Sequence, residues 1–286
     1  MDSPTDDRST ERFKIQRYRP GSCKDEIDPV IVESPVEIRL VFGPLEKRRG
    51  KSLAITMRTP GYDFELAIGF LISENIVSKP DDILSISHVG TIAESEVHSN
   101  IVRVELSPKT AFHIEKLQRH FYVTSSCGIC GKASLDSIRA QGVQPITEDF
   151  ELDPNWILKL PQRLRNHQPL FQLTGGNHAA AIIDFSSEEM WVQEDVGRHN
   201  AVDKVVGSHF LANNFPLSGN VLAVSGRASF ELVQKALMVK IPMMVSVGAP
   251  SSLAIELARE FHLTLVGFNS GQRMNIYSGE HRIRLA

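Results

Sequence analysis

The sequence has few or none of the features that mark several large classes of protein. It contains only three cysteines in 286 residues, whereas a secreted domain held together by disulfides shows a larger, even set. No apolar run approaches the roughly 20 residues needed to cross a bilayer. The formal net charge is −3, so there is no general excess of positive charge for nucleic-acid binding. We therefore expect no disulfide framework, no membrane partner and no nucleic-acid partner.

The N-terminal residues are strongly polar. Residues 1–19 are rich in Asp, Arg and Ser and lack the apolar stretch of a signal peptide. We predict a solvated tail over residues 1–28 and a cytoplasmic protein. The remaining chain is long enough to bury a sizeable core, and a hydrophobic share of 42% is typical of globular domains.

Beyond the tail, the pattern of residues changes near position 122. Residues 29–121 alternate polar and apolar positions at 37–42, 52–58 and 101–106, as strands do. A helix is expected at 64–74, with Asp63 as its N-cap. We predict a small N-terminal α+β domain here.

Residues 122–286 alternate glycine-rich loops with apolar strands and helices. The predicted strands are 179–185, 221–224, 243–247, 264–268 and 274–277. The predicted helices are 197–211, a second ending at Lys240, and a third from Pro250 to His262. This alternation favours an α/β domain, in which a mixed or largely parallel sheet carries helices on its faces.

Cys127 and Cys130 are each followed by a glycine, Gly128 and Gly131, and Lys132 comes next; we predict a loop here. A sulfur carrier needs a thiolate, and an ordinary thiol of pKa about 8.5 is only a few per cent ionised at pH 7. Lowering that pKa to about 7 ionises half of the thiol at pH 7, and a pKa shift of this size corresponds to roughly 2 kcal/mol. A helix beginning near Gly131 and the Lys132 cation would both lower the pKa in this way. The pattern therefore favours sulfur transfer.

Three other interpretations of the cysteine pair stay open. A dithiol redox pair has the same spacing, although a strand–CxxC–helix arrangement is poorly matched here. Half of a structural zinc site is a second possibility, but it lacks a second pair of ligands, and Cys23 lies in the polar N-terminal segment. Two inert buried thiols are a third, which the flanking glycines and serines oppose.

Cationic and polar groups recur where the predicted strands end. Arg198 and His199 open a predicted helix, and Arg227 lies in a strand-to-helix turn, both suitable places for a phosphate. The loop after the strand at 264–268 supplies Phe268, Asn269, Ser270, Gly271, Gln272 and Arg273. The polar groups of such a loop can form hydrogen bonds with the edge of a nucleobase while Phe268 stacks on the base. Because open α/β sheets bind ligands at the carboxyl ends of their strands, we expect these groups to share one crevice. A capped, salt-bridged helix start is the simpler interpretation of residues 194–200.

Together these motifs resemble the formate dehydrogenase accessory protein family of FdhD/NarQ type. The resemblance extends from about residue 33 to residue 277. The segments that carry it are 58–63, 65–67, 125–132, 174–176, 178–180, 194–200, 203–204, 225–227, 249–251 and 267–268.

The resemblance implies a sulfurtransferase that carries sulfur as a cysteine persulfide. Proteins of this family take sulfur from a cysteine desulfurase and deliver it to the molybdenum or tungsten bis(molybdopterin guanine dinucleotide) cofactor, which formate dehydrogenase requires. The persulfide maps to Cys127, with Cys130 as its loop partner, and the cofactor-contacting segment maps to residues 268–273. A chaperone that binds this cofactor without carrying sulfur is the alternative.

The resemblance also implies a homodimer and a cytidine-deaminase-like fold for the larger domain. Deamination itself is not expected, because zinc deaminases need His-x-Glu and Pro-Cys-x-x-Cys patterns. Here Ser126 precedes Cys127, and Ala180 stands where His178 would need a glutamate. We therefore predict no permanently bound metal.

Overall fold

The computed structural model describes residues 7–89, 100–110, 135, 138–140 and 142–285. The chain first forms a β-hairpin, in which β1 (Thr10–Arg19) pairs antiparallel with β2 (Ser22–Ile31). Gly21 makes the turn at φ +84°, and Arg17 reaches across the ladder to Glu26 and Asp28. The predicted polar tail over residues 1–28 is therefore wrong for the hairpin. Backbone pairing and charged side chains join the two strands. Their sequence therefore lacks the apolar pattern from which strands are predicted.

A small four-stranded sheet follows, with the order β4-β3-β6-β5. Its elements are β3 (Ser34–Phe42), β4 (Arg49–Arg58), α1 (Asp63–Ser73), β5 (Ile83–His88) and β6 (Ile101–Leu106). The three predicted strands and the predicted helix are confirmed. Asp63 is not the N-cap, however. Its carboxylate accepts two hydrogen bonds from the Arg58 guanidinium, at 2.7 and 3.0 Å, and Tyr62 occupies the cap position in a left-handed conformation.

A six-stranded mixed sheet forms the second half, with the order β12-β11-β10-β9-β7-β8. Its strands are β7 (His178–Asp184), β8 (Met190–Asp195), β9 (Asn220–Val224), β10 (Met243–Ser246), β11 (Thr264–Gly267) and β12 (Asn275–Ser278). β9, β10 and β11 are parallel, and the other pairs are antiparallel. The predicted mixed sheet is confirmed.

The helices whose bounds the structure describes in this half are α2 (Pro154–Asn166), α3 (Pro169–Thr174), α4 (Arg198–Leu211), α5 (Phe230–Met238) and α6 (Ser252–Glu260). Two of them end two residues earlier than predicted. Lys240 and His262 instead adopt positive φ, at +60° and +55°, which ends the helical path before the next strand. In the part of the chain that the structure describes, every helix is too short or too polar to cross a membrane.

Helices α1 and α4 pack with their backbones in direct contact. A Cβ atom added at Gly69 would overlap the carbonyl oxygen of Asp203, and one added at Gly207 would overlap that of Glu65. Residues from both sheets, such as Ile38 and Leu222, belong to the same hydrophobic cluster. The two sheets therefore share one core. The predicted boundary between residues 121 and 122 lies outside the described residues.

Replacing Gly207 by alanine is expected to destabilise the fold by at least about 1–3 kcal/mol, because the added methyl must push two helix backbones apart. The matched control is Gly219→Ala, where the Cβ meets nothing within 4 Å, so we expect a change within about 0.5 kcal/mol. Urea unfolding of both variants measures the difference. Equal midpoints would show that the close helix contact contributes little.

Candidate functional site

The carboxyl ends of β9, β10 and β11 lie side by side at one edge of the large sheet. Backbone bonds join the three loops that follow: Gly248 N donates to Gly226 O and Phe268 N donates to Gly248 O, both at 3.0 Å. The buried hydroxyl of Ser246 lies 2.8 and 3.0 Å from the carbonyl oxygens of Gly226 and Gly248. The loops are therefore fixed relative to one another.

Three further residues, His178, Arg198 and Arg227, lie close to the glycines of these loops. A Cβ atom at Gly226 would lie 3.4 Å from His178 Nδ1 and 3.5 Å from Arg198 Cδ. At Gly248 a Cβ would lie 3.0 Å from Arg227 Cα. We call the site formed by His178, Arg198, Gly226–Arg227, Gly248 and Phe268 the strand-end crevice. The structure thus brings Arg198, Arg227 and the start of the 268–273 loop to one place, as the sequence predicted.

Arg198 supplies positive charge to the strand-end crevice. Its side chain is partly buried, and its Nε atom is buried without a hydrogen-bond partner among the described residues. Burial and the nearby Arg198 charge lower the pKa of His178, so this imidazole is neutral at pH 7. Arg227 beside it is exposed. A partly buried guanidinium with unused donor capacity is well suited to hold an anion.

His199 contributes less positive charge than the sequence suggested. Its Nε2 lies 3.2 Å from a carboxylate oxygen of Glu231 and 3.3 Å from the Ser229 hydroxyl. The hydrogen bond from His199 lowers the pKa of Glu231, which keeps that carboxylate ionised. Any charge on His199 is therefore offset at the start of α5.

The loop after β11 divides into exposed and buried residues. Phe268 is 43% exposed and has φ +50°, a conformation that aromatic residues rarely adopt outside constrained sites. Ser270, Gly271, Gln272 and Arg273 are exposed. Asn269 is fully buried. Its amide donates to Ile157 O at 2.7 Å and accepts from Gly271 N at 3.1 Å. Both amide atoms of Asn269 therefore hold the loop in place, and a ligand contact by Asn269 stays a prediction.

A buried ion pair, which the sequence did not reveal, lies close to the crevice. Lys204 Nζ and Asp195 Oδ2 are 2.7 Å apart, with side chains 1% and 0% exposed. Thr59 bonds to both partners: its N–H donates to Asp195 at 3.1 Å, and its carbonyl accepts from Lys204 at 2.8 Å. Asp195 also accepts from Gly197 N at 2.8 Å, immediately before α4.

This network fixes the start of α4, and therefore Arg198, against the end of β4. A second carboxylate, Glu194, accepts the N–H groups of Leu170 and Phe171 at 2.9 Å. The simpler interpretation of residues 194–200, a salt-bridged helix start, is thus confirmed for Asp195, while the Nε atom of Arg198 has no hydrogen-bond partner among the described residues.

The two cysteines expected to carry the chemistry, Cys127 and Cys130, lie outside the described residues. Cys23 is exposed on β2 and is a free thiol. Over the described ranges, no group of three or more His, Cys, Asp or Glu side chains is arranged to hold a metal ion.

Comparison with known proteins gives a consistent result. A model of the FdhD/NarQ family matches residues 32–284. The sulfur carrier protein FdhD of Streptomyces avermitilis is 48% identical over 281 residues, which cover 97% of both chains. The protein of the same name from Saccharolobus solfataricus is 38% identical over 272 residues, covering 95% of this chain and 97% of the relative.

A solved structure is similar across almost the whole chain. It is that of a formate dehydrogenase accessory protein from Desulfotalea psychrophila, with a TM-score of 0.69 at 22% identity, and the match covers 96% of this chain and 99% of the other. At this identity the likeness shows the fold alone, and the cytidine-deaminase-like relationship stays a prediction. With the family match over nearly the whole chain and relatives close to half identical, this protein belongs to the FdhD/NarQ family.

Proposed function

We propose that this protein is a sulfur carrier, a sulfurtransferase that helps to mature formate dehydrogenase. It takes sulfur from a cysteine desulfurase and delivers it to the bis(molybdopterin guanine dinucleotide) cofactor, acting as a homodimer. The names of its relatives support the carrier role. The structural observation that carries the delivery step is the strand-end crevice, where Arg198 offers unused, partly buried donor capacity to an anion.

Sulfur is carried on Cys127. Its thiolate attacks the outer sulfur of the desulfurase persulfide, and a new sulfur–sulfur bond forms. The bond between the two sulfurs of the donor breaks, and the desulfurase cysteine leaves as a thiolate. Cys127 then holds the transferred sulfur as a persulfide, with Cys130, three residues further along the chain, as the second thiol. No outside oxidant or reductant is needed for this step.

The strand-end crevice binds the cofactor, which is the substrate that receives the sulfur. Arg198 and Arg227 pair with its phosphates, since guanidinium groups bind phosphate oxygens two at a time. Phe268 presents an exposed ring on which the guanine stacks. Ser270, Gly271, Gln272 and Arg273 lie on the exposed side of the loop and meet the edge of the base. Asn269 positions this loop from within.

The crevice assignment predicts that Arg198→Gln weakens binding of guanosine diphosphate by about tenfold or more. A hydrogen bond to a charged group contributes about 1.5–3 kcal/mol, and 1.4 kcal/mol is tenfold in affinity. We expect a smaller loss for His199→Gln, because Glu231 already offsets any charge on that imidazole. Isothermal titration calorimetry measures the affinity of the wild type, Arg198→Gln and His199→Gln for guanosine diphosphate.

The matched control is Arg39→Gln on the small sheet, where Arg39 pairs with Glu37. This variant should leave the affinity for guanosine diphosphate unchanged. Guanosine diphosphate bound equally by the wild type and Arg198→Gln would contradict the crevice as the cofactor site. So would an equal loss in Arg39→Gln, which would indicate only a general effect of positive charge.

A further inference from the structure

A cavity opens at the other end of the strands of the large sheet, where β7 ends and β9 begins. Its volume is about 400 Å³. Its lining residues are Asp184, Glu189, Trp191, His209, Asn213, Asn214, Phe215, Pro216, Leu217 and Asn220. β7 runs from His178 in the strand-end crevice to Asp184 in this cavity, a distance of about 20 Å at roughly 3.4 Å per residue. The two sites are therefore separate.

His209 is the unusual member of this cavity. The side chain is only 5% exposed, yet neither ring nitrogen has a hydrogen-bond partner in the described part of the chain. Burial lowers its pKa to about 4, so the ring is neutral at pH 7, with one donor and one acceptor. Buried polar groups in proteins are almost always hydrogen-bonded. The unused capacity of His209 is thus available to a ligand in the cavity.

The rest of the lining favours a positively charged ligand. It includes the carboxylates of Asp184 and Glu189 and three asparagines, and none of the lining residues is Lys or Arg. Hydrogen bonds, chiefly from Ser186, lower the pKa of Asp184, which keeps that carboxylate ionised. The Trp191 indole donates to Glu189 at 3.2 Å, and its ring centroid lies 4.5 Å from that of His209.

We propose that this cavity, which we call the His209 cavity, binds a guanidinium group. The group belongs either to free arginine or to an arginine side chain of a partner protein. A guanidinium is planar, carries five N–H donors and stacks on aromatic faces. It would satisfy the carboxylates and the imidazole acceptor while lying against Trp191. A volume of about 400 Å³ is within the usual range for small-ligand sites, about 300–1,000 Å³. An ammonium group lacks the planar shape for this stacking.

The test uses Trp191 as its own reporter. The chain has two tryptophans, so Trp156→Phe leaves Trp191 as the only indole. We expect N-acetyl-arginine amide to change its fluorescence in a saturable way at pH 7. The citrulline analogue has nearly the same shape but no charge, and should bind about tenfold more weakly or worse. An equal response to both compounds, or no saturable response to the arginine compound, would overturn the proposal.

Two substitutions separate a binding role from a structural one. Glu189→Gln changes an exposed side chain and should weaken arginine-amide binding about tenfold by removing a charged acceptor. His209→Phe keeps a ring beside Trp191 but removes both nitrogens. It should also weaken binding, while the melting temperature stays equal or rises because two unpaired buried polar atoms are lost. Unchanged affinity in both variants would overturn the proposal.

The source of the guanidinium is distinguished with one further ligand. The peptide Gly-Gly-Arg-Gly-Gly presents the side chain as a partner protein would. Tighter binding of the peptide than of free arginine supports a site for a partner chain. Tighter binding of free arginine supports a metabolite site. Binding of neither removes the guanidinium site altogether.

Discussion

Lys204→Met is expected to lower the free energy of unfolding by about 3–5 kcal/mol, because it leaves a buried carboxylate without its counterion. Asp195 is fully buried, and Lys204 lies 2.7 Å from it. Methionine fills similar space, so the loss reports the unpaired charge rather than a cavity. The N–H groups of Thr59 and Gly197 continue to donate to Asp195, but they do not replace a full positive charge.

Urea unfolding followed by circular dichroism measures this loss. The matched control is Lys159→Met, the same substitution at an exposed position of α2, where we expect a change within about 0.5 kcal/mol. Adding Asp195→Asn to Lys204→Met should restore part of the stability, since the uncompensated charge is then removed. A loss in Lys204→Met no larger than in the control would contradict the role given to the ion pair.

Local pattern predicted most strands of the two sheets and the helices α1, α4, α5 and α6, but it missed β5, β8, α2 and α3. The alternation of residues 37–42 predicts a strand because one face is buried: Val36, Ile38 and Leu40 are all buried in the core. The helix at 64–74 was predicted for the same reason, since its apolar residues recur at helical spacing. Where burial imposes a period, the sequence shows it.

Elements held together by polar contacts could not be predicted in this way. The hairpin of β1 and β2 is joined by backbone pairing and by ion pairs such as Arg17 with Glu26, so its sequence resembles a solvated tail. The Asp195–Lys204 pair bonds to Thr59, which is 136 residues away from Asp195. A contact of this range leaves no local signal. The role of Asn269 in holding its loop could not be predicted for a related reason, since only the structure shows that Ile157 accepts its amide hydrogen.

The sequence predicted the position of the candidate site better than it predicted the contacts of the individual side chains. Arg227 and Phe268 lie at the carboxyl ends of strands because the parallel part of the sheet brings successive loops together. Arg198 follows β8 and reaches the same end of the sheet, where its Cδ atom lies close to Gly226. His199 lies close by but is paired with Glu231. The His209 cavity was not predicted, because a histidine near the end of a helix that is buried on nearly all sides gives no indication that both its nitrogens will be unpaired.

Cys127→Ala is expected to abolish persulfide formation on this protein. Only a thiolate can accept the donor's outer sulfur, and the proposed relay has no other first acceptor. Formate dehydrogenase matured in cells carrying this variant should therefore be inactive. If the protein were instead a cofactor chaperone that carries no sulfur, the double variant Cys127→Ala/Cys130→Ala would still support active formate dehydrogenase.

The most direct measurement is intact-protein mass spectrometry after incubation with a cysteine desulfurase and cysteine. The wild type and Cys23→Ala, which lacks the exposed thiol on β2, should each gain the mass of one sulfur atom. Cys127→Ala should gain none, whereas Cys130→Ala should keep the gain. A normal gain of sulfur in Cys127→Ala would show that Cys127 is not the sulfur carrier.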